Sequence, residues 1–289
     1  SLEIGRAIEL ETGSLRLTVV HVKGGKKRAG RRAARGASAD EHIVILNVHH
    51  IATDALSEEL MMSEASKVYS TLAAGDALSE AEETYIRYAD YAAWQREMLA
   101  DEKFMEVHVR YWREALGGEL AVLELQPDHP RPVVLTSAGG SVGVTVSSMT
   151  AAALTALCQE CGATAMRGAL AAWAVVLGKH SGQEEVVVGI PYANRDEAAV
   201  QDVVGYFVNT LAVRVPLLME ASGFRDVLKQ ANDRMNSAIE HAVVPFVKVV
   251  ELAAPERDAS RTPLFQTMLT WEEAIGWGEI GEGFTGTSV

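Results

Sequence analysis

Hydrophobic positions along the chain switch between a two-residue and a helical period, and the order of the switches predicts an α/β protein. Ser14–Val22 and Glu41–Val48 are aliphatic, β-branched runs on either side of a polar segment, and together predict a long-looped hairpin; His42–Val48 reads as a buried strand. Ser57–Leu72 has helical composition, Gly75-Asp76 breaks it, and a long helical region is predicted from about Glu80 to Leu116. Tyr85, Tyr88, Tyr91, Trp94, Tyr111 and Trp112 recur there at mostly helical spacing, the pattern of a packing stripe. Three prolines in 126–132 remove donors and fix φ, so that stretch is a linker. Beyond it Val142–Ser147 predicts a strand, Thr150–Cys161 and Thr164–His180 helices, and Glu185–Ile190 a strand, restarting the earlier alternation. Gly205–Arg214 is strand-like, and Phe224–Glu240 is a helix with Phe224, Val227, Leu228, Ala231 and Met235 on one face. A short helix to Leu252 and an alternating strand over Phe265–Trp271 follow, before the chain turns acidic and Gly-rich from Glu272.

This order predicts two lobes of similar α/β character: residues 1–125, a linker over 126–140, and residues 141–289. The chain is expected to begin and end inside these lobes, leaving both partial and, expressed alone, poorly stable and inactive. Its 289 residues are 48% hydrophobic and 22% charged, ordinary for a globular protein. No apolar run approaches the roughly 18 residues that span a bilayer, and the N-terminus lacks the order of a secretory signal, so a soluble, cytoplasmic protein is expected.

The net charge of −13 argues against nucleic-acid or membrane partners, although Lys23, Lys26, Lys27, Arg28, Arg31, Arg32 and Arg35 form a local basic cluster over 22–36. Without aromatics to stack or bury, the cluster reads as a solvated loop dispensable for folding. Cys158 and Cys161 form a lone C-x-x-C that closes a helix, and no further ligands stand at zinc spacing, so the pair reads as packing and no metal is expected.

Chemistry concentrates in His49-His50-Ile51-Ala52-Thr53-Asp54-Ala55, where a strand gives way to a helix. Strand alternation would point His49 and His50 to opposite sides, leaving one to face a cleft. Asp54 is close enough for its carboxylate to return beneath the ring or against the turn backbone. The plainer reading makes the histidines surface residues and Asp54 a helix N-cap.

Five patterns, in order, resemble the condensation domains of nonribosomal peptide synthetases. His49-His50-x-x-x-Asp54-Ala55 resembles the family's His-His-x-x-x-Asp-Gly, and Tyr88-Ala89-Asp90-Tyr91-Ala92-Ala93-Trp94 its Tyr-x-Asp-Tyr-Ala-x-Trp. Val204–Leu211 resembles Val-Gly-x-Phe-Val-Asn-Thr, His241–Phe246 resembles His-Gln-Asp-x-Pro-Phe, and Arg257–Leu264 resembles Arg-Asp-x-Ser-Arg-x-Pro-Leu. The resemblance implies two chloramphenicol-acetyltransferase-like lobes with a tunnel between them. It implies amide-bond formation between aminoacyl or peptidyl groups carried as phosphopantetheinyl thioesters. The partners would be donor and acceptor peptidyl carrier domains and an adjoining adenylation domain. The phosphopantetheine arms would come with the carriers, the domain itself binding no cofactor.

By the same resemblance His50 is the central residue, as base or amine-positioning group, with His49 beside it. Asp54 is a structural carboxylate paired in the family with an upstream arginine; Arg195 is an internal candidate for that partner, and Asn209 a substrate or structural candidate. Ala55 in place of Gly would strain a turn needing positive φ, and Ala242 and Val243 replace the Gln-Asp pair. The alternatives are a catalytically silent docking domain, an epimerisation domain, and a stand-alone acyltransferase on the same scaffold.

Overall fold

The computed structural model describes residues 8–11, 13–22, 41–78, 86–136, 138–217, 223–253, 258–272, 279–281 and 284–285. The basic cluster of 23–35, Tyr85, Arg257 and most of the acidic tail after Glu272 lie outside them. The described residues mix helices and strands, in keeping with the expected α/β class. The packing units, however, cut the chain differently from the expected 1–125, 126–140 and 141–289. One comprises residues 1–88, 199–207 and 279–287; the other comprises 89–198, 208–278 and 288–289.

In the first unit β1 (Leu15–Val22) pairs antiparallel with β2 (Glu41–Val48) over their full length, Leu15 opposite Val48 and Val22 opposite Glu41. The long-looped hairpin is therefore present, but β2 is not buried. Direct partners share a face, so Leu15, Leu17 and Val19 lie with Val48, Leu46 and Val44 on one side of the ribbon. Leu17 and Val19 are 58% and 59% exposed, because a two-stranded ribbon buries little of its own surface. Helix α1 (Ala55–Ala73) follows the histidine turn. The short strands β5 (Glu279–Gly281) and β6 (Phe284–Thr285) also belong to this unit.

Among the described residues the helical region predicted over 80–116 holds two helices, α2 (Tyr88–Ala100) and α3 (Glu102–Ala115). Asp101 breaks it: extended backbone there lets its carboxylate accept the Phe104 amide as the N-cap of α3. In the second unit α3 lends Met105 and Trp112 to a core built from α5 (Ala165–Ser181), α6 (Phe224–Glu240) and the antiparallel pair β3 (Glu185–Tyr192) and β4 (Asn209–Pro216). This is why residues 89–125 pack with the later chain. Val188, Leu211, Val213 and Val215 are at most 1% exposed, the continuous burial of strands covered on both faces. The face of α6 is as its periodicity predicts, with Val227, Leu228, Ala231, Met235 and Ala238 buried, and α7 (Phe246–Ala253) follows.

Among the described residues two predicted strands are missing. Val142–Ser147 forms no ladder, and Val142 and Val144 are 91% and 84% exposed; alternation supplies an apolar stripe but not the partner a strand needs. Phe265–Trp271 makes only one parallel bridge, Met268 to Gly189, in which the Gly189 amide donates to Thr267 and the Leu269 amide to Gly189. Gly205–Val208 likewise stays out of β4. The C-x-x-C pair closes α4 (Ser148–Glu160), both thiols free, with Cys158 buried against Gly168 and its thiol pushed up chiefly by burial. No single helix among the described residues is long and apolar enough to cross a membrane.

Candidate active site at the histidine turn

The backbone of β2 runs one residue past the ladder, the His49 amide donating to Ser14 at 2.8 Å, and then turns as Ala52 donates to His49 at 2.9 Å. Neither histidine is therefore a strand residue, and turn hydrogen bonds, not strand alternation, separate their roles. Nδ1 of His49 accepts the Ile51 amide at 3.1 Å and so carries no proton. Nδ1 of His50 lies 2.6 Å from the Thr53 carbonyl. A carbonyl can only accept, so this nitrogen is the donor, and the Nε2 lone pair of the neutral ring is left available. The neighbouring rings hold opposite tautomers, and both are exposed.

Asp54, 1% exposed, is the N-cap of α1: Oδ1 accepts the Ser57 amide at 2.9 Å, while Oδ2 accepts the Phe207 amide at 3.1 Å. The Ser57 hydroxyl accepts the Gly205 amide at 3.0 Å, and its own proton lies within reach of Asp54 Oδ1 at 2.7 Å and the Gly205 carbonyl at 2.9 Å. The plain N-cap reading of Asp54 and the reading of a carboxylate that shapes the site are thus both met by one side chain. From the other side Tyr88 donates its hydroxyl to the Tyr206 carbonyl at 2.8 Å and sets its ring edge-on to Phe207 at 5.1 Å. Gly205 has to be glycine, since a Cβ there would lie 2.2 Å from the Tyr88 ring. Burial, and secondarily the Asp54 carboxylate, push the Tyr88 phenol up, so it stays a donor. Pinned in this way, the 205–207 loop presents Tyr206 edge-to-face with His50, ring centres 5.4 Å apart and planes at 88°.

The condensation-domain family model matches residues 31–284, most of the chain. The chain belongs to the condensation-domain family. Relatives of this condensation domain include malpinin synthetase of Mortierella alpina, 36% identical over 81% of the chain, and tyrocidine synthase 3 of Brevibacillus parabrevis, 36% identical over 85%. The chain spans 3% of the length of the first and 4% of the second. Among solved structures, the X-domain from teicoplanin biosynthesis superposes with a TM-score of 0.71 at 26% identity, over 81% of this chain and 52% of that one.

Where the condensation domain departs from its family pattern, the turn is unharmed. Ala55 is the first residue of α1 and is not among the positive-φ residues, so the glycine the pattern carries is not needed here, and alanine is the better helix former. Asn209 is a fastener inside the second unit. Its amide nitrogen donates to the Ala242 and Val244 carbonyls at 2.7 and 2.8 Å, and its oxygen accepts the Phe246 amide at 2.9 Å. Three backbone groups of the 242–246 turn thus hang on one buried side chain at the start of β4. Arg195 also belongs to the second unit, after β3, and is 7% exposed.

The aromatic stripe divides: Tyr91 and Trp112 are buried and Trp94 is half-exposed, whereas Tyr88 works at the histidine turn. Ser57, Tyr206 and the backbone role of Gly205 and Phe207 escaped the sequence reading. The Val-Gly-x-Phe pattern held the signal, but its apolar run made it look like strand. A cleft of about 320 Å³ lined by Leu125, Trp173, Val176, Leu177 and His180 lies in the second unit and includes none of the turn residues. Among the described residues no three His, Cys, Asp or Glu side chains cluster as metal ligands.

Proposed function

We propose that this domain forms an amide bond between two thioester-bound aminoacyl or peptidyl groups, delivered on the phosphopantetheine arms of donor and acceptor carrier domains, with an adenylation domain loading the chain of modules. The observation that carries the reading is the His50 tautomer: Nδ1–H given to Thr53 and Nε2 left as acceptor. As the acceptor amine adds to the donor thioester carbonyl, its N–H proton passes to Nε2. The tetrahedral adduct then collapses with cleavage of the C–S bond, and the same proton leaves with the thiol sulfur. An imidazole nitrogen with a free lone pair suits this exchange, and holding amine and carbonyl in line supplies much of the remaining acceleration. His49 shapes the turn, Asp54 ties it to α1 and to the 205–207 loop, and Asn209 serves the framework of the second unit.

The test supplies an intact domain that contains this chain with aminoacyl-loaded donor and acceptor carrier domains and reads the acceptor-bound product by mass spectrometry. His50→Ala is expected to abolish product with the fold intact, and His49→Ala to retain it. Full turnover by His50→Ala would refute the assignment of His50. Carrier docking without product in the wild type would favour the silent docking reading.

A further inference from the structure

We infer that Tyr206 is a positioning residue for His50, holding the plane of the imidazole so that Nε2 meets the attacking amine; the inference rests on the condensation reading above. The His50 ring is anchored through Nδ1, 2.6 Å from the Thr53 carbonyl. A single hydrogen bond at Nδ1 opposes rotation about Cβ–Cγ but acts close to that axis, so the far edge of an exposed imidazole, which carries Nε2, still rocks through poor approach angles. A second contact at right angles removes that freedom, and the Tyr206 ring supplies it at 88° and 5.4 Å.

The backbone beneath Tyr206 is built for this. Ser57 accepts the Gly205 amide, Asp54 accepts the Phe207 amide, and Tyr88 donates to the carbonyl of Tyr206 itself. Phe207 is 2% exposed and anchors the loop, while the Tyr206 side chain, 40% exposed, is left at the surface beside the histidine. An aromatic side chain that leaves its outer edge in solvent, on a backbone fastened on both sides, is placed to align a neighbour as well as to cover the loop. The same N-cap that starts α1 thereby sets the ring facing His50, so Asp54 acts on the histidine through Tyr206 as well as through the turn. The Tyr206 hydroxyl is not needed by this geometry; the ring is.

The test uses Tyr206→Leu and Tyr206→Phe in an intact domain that contains this chain, with loaded carrier domains. Tyr206→Leu is expected to lower kcat by about 2- to 12-fold, the size of an edge-to-face ring contact, with KM for both carriers unchanged, and Tyr206→Phe to restore it. In parallel, the NMR shift of the His50 ring protons reports the Tyr206 ring current; it should be lost in Tyr206→Leu and kept in Tyr206→Phe. Wild-type kcat in Tyr206→Leu, or a fall that Phe does not rescue, overturns the inference while the condensation reading stands. A wild type that makes no product overturns the condensation reading and the catalytic role inferred for Tyr206 together, with the NMR signal still reporting the ring contact itself.

Discussion

Replacing Ser57 with alanine tests whether the histidine turn is held from below by the start of α1. Alanine is an excellent helix residue, so α1 itself should not suffer. What is lost is one hydroxyl, which accepts the Gly205 amide at 3.0 Å and whose proton lies within reach of Asp54 Oδ1 and the Gly205 carbonyl. Gly205 is buried, so its amide would lose a partner in a site where a newly unsatisfied donor costs about 1–3 kcal/mol. Expressed as local opening, that is about a 5- to 150-fold faster hydrogen exchange at the Gly205 amide, and the neighbouring Phe207 amide should follow because Asp54 loses the hydroxyl that braces its carboxylate. Exchange read by NMR on wild type and Ser57→Ala isolates this loop from the global stability of a chain with two packing units. Unchanged protection at Gly205 and Phe207, with α1 intact, would refute the reasoning that these hydrogen bonds fasten the loop.

Two other perturbations follow from the geometry. His108 and His241 share one short Nδ1–Nδ1 contact of 2.8 Å, which needs one donor and one acceptor, and both pKa values lie below the ordinary 6.5, chiefly through burial; for His241 the Glu240 carboxylate opposes the shift, and Tyr111 stacks on its ring. The unfolded chain therefore binds these protons first, so stability should be unaffected above pH 6.5 and fall as pH drops below it; melting curves between about pH 7.5 and 5.5 should show this slope, flattened in His108→Gln, and a stability that rises on acidification would contradict it. Ala55→Gly should weaken α1 by about 0.5–1 kcal/mol, read by urea denaturation followed by circular dichroism, whereas a gain in stability would mean that the turn does want a positive φ.

Elements whose partners are close in sequence, or whose burial follows from one face, were legible. The stripe of α6 gave the whole of Phe224–Glu240, and the aliphatic runs around the basic segment gave β1 and β2 with their pairing. What failed depended on partners that pattern does not name. Val142, Val144 and Val146 alternate as a strand should, yet among the described residues no backbone pairs with them, and the side chains stand exposed. His42–Val48 has the composition of a buried strand, but burial is decided by what lies over the sheet and not by the strand itself.

The site shows the same division more sharply. His50 and Asp54 announce themselves because few residue types can do proton or capping chemistry, and their spacing around one turn is local. Ser57 and Tyr206 do not, since a serine in a helix and a tyrosine in an apolar run have many duller uses. Their meaning lies in contacts that bridge about 150 residues: Ser57 with Gly205 are 148 apart and Asp54 with Phe207 are 153 apart. A carboxylate with two oxygens can serve two segments at once, and Asp54 uses one to begin a helix and the other to hold a loop. Removing that carboxylate therefore cannot be read as the loss of a cap alone. In Asp54→Asn, one amide nitrogen would face the Phe207 N–H while the remaining oxygen still caps Ser57, so the loop should loosen with the helix start intact. In Asp54→Ala both should fail, so wild type against Asp54→Asn measures what the second oxygen contributes to the loop beside His50, and Asp54→Asn against Asp54→Ala measures the cap.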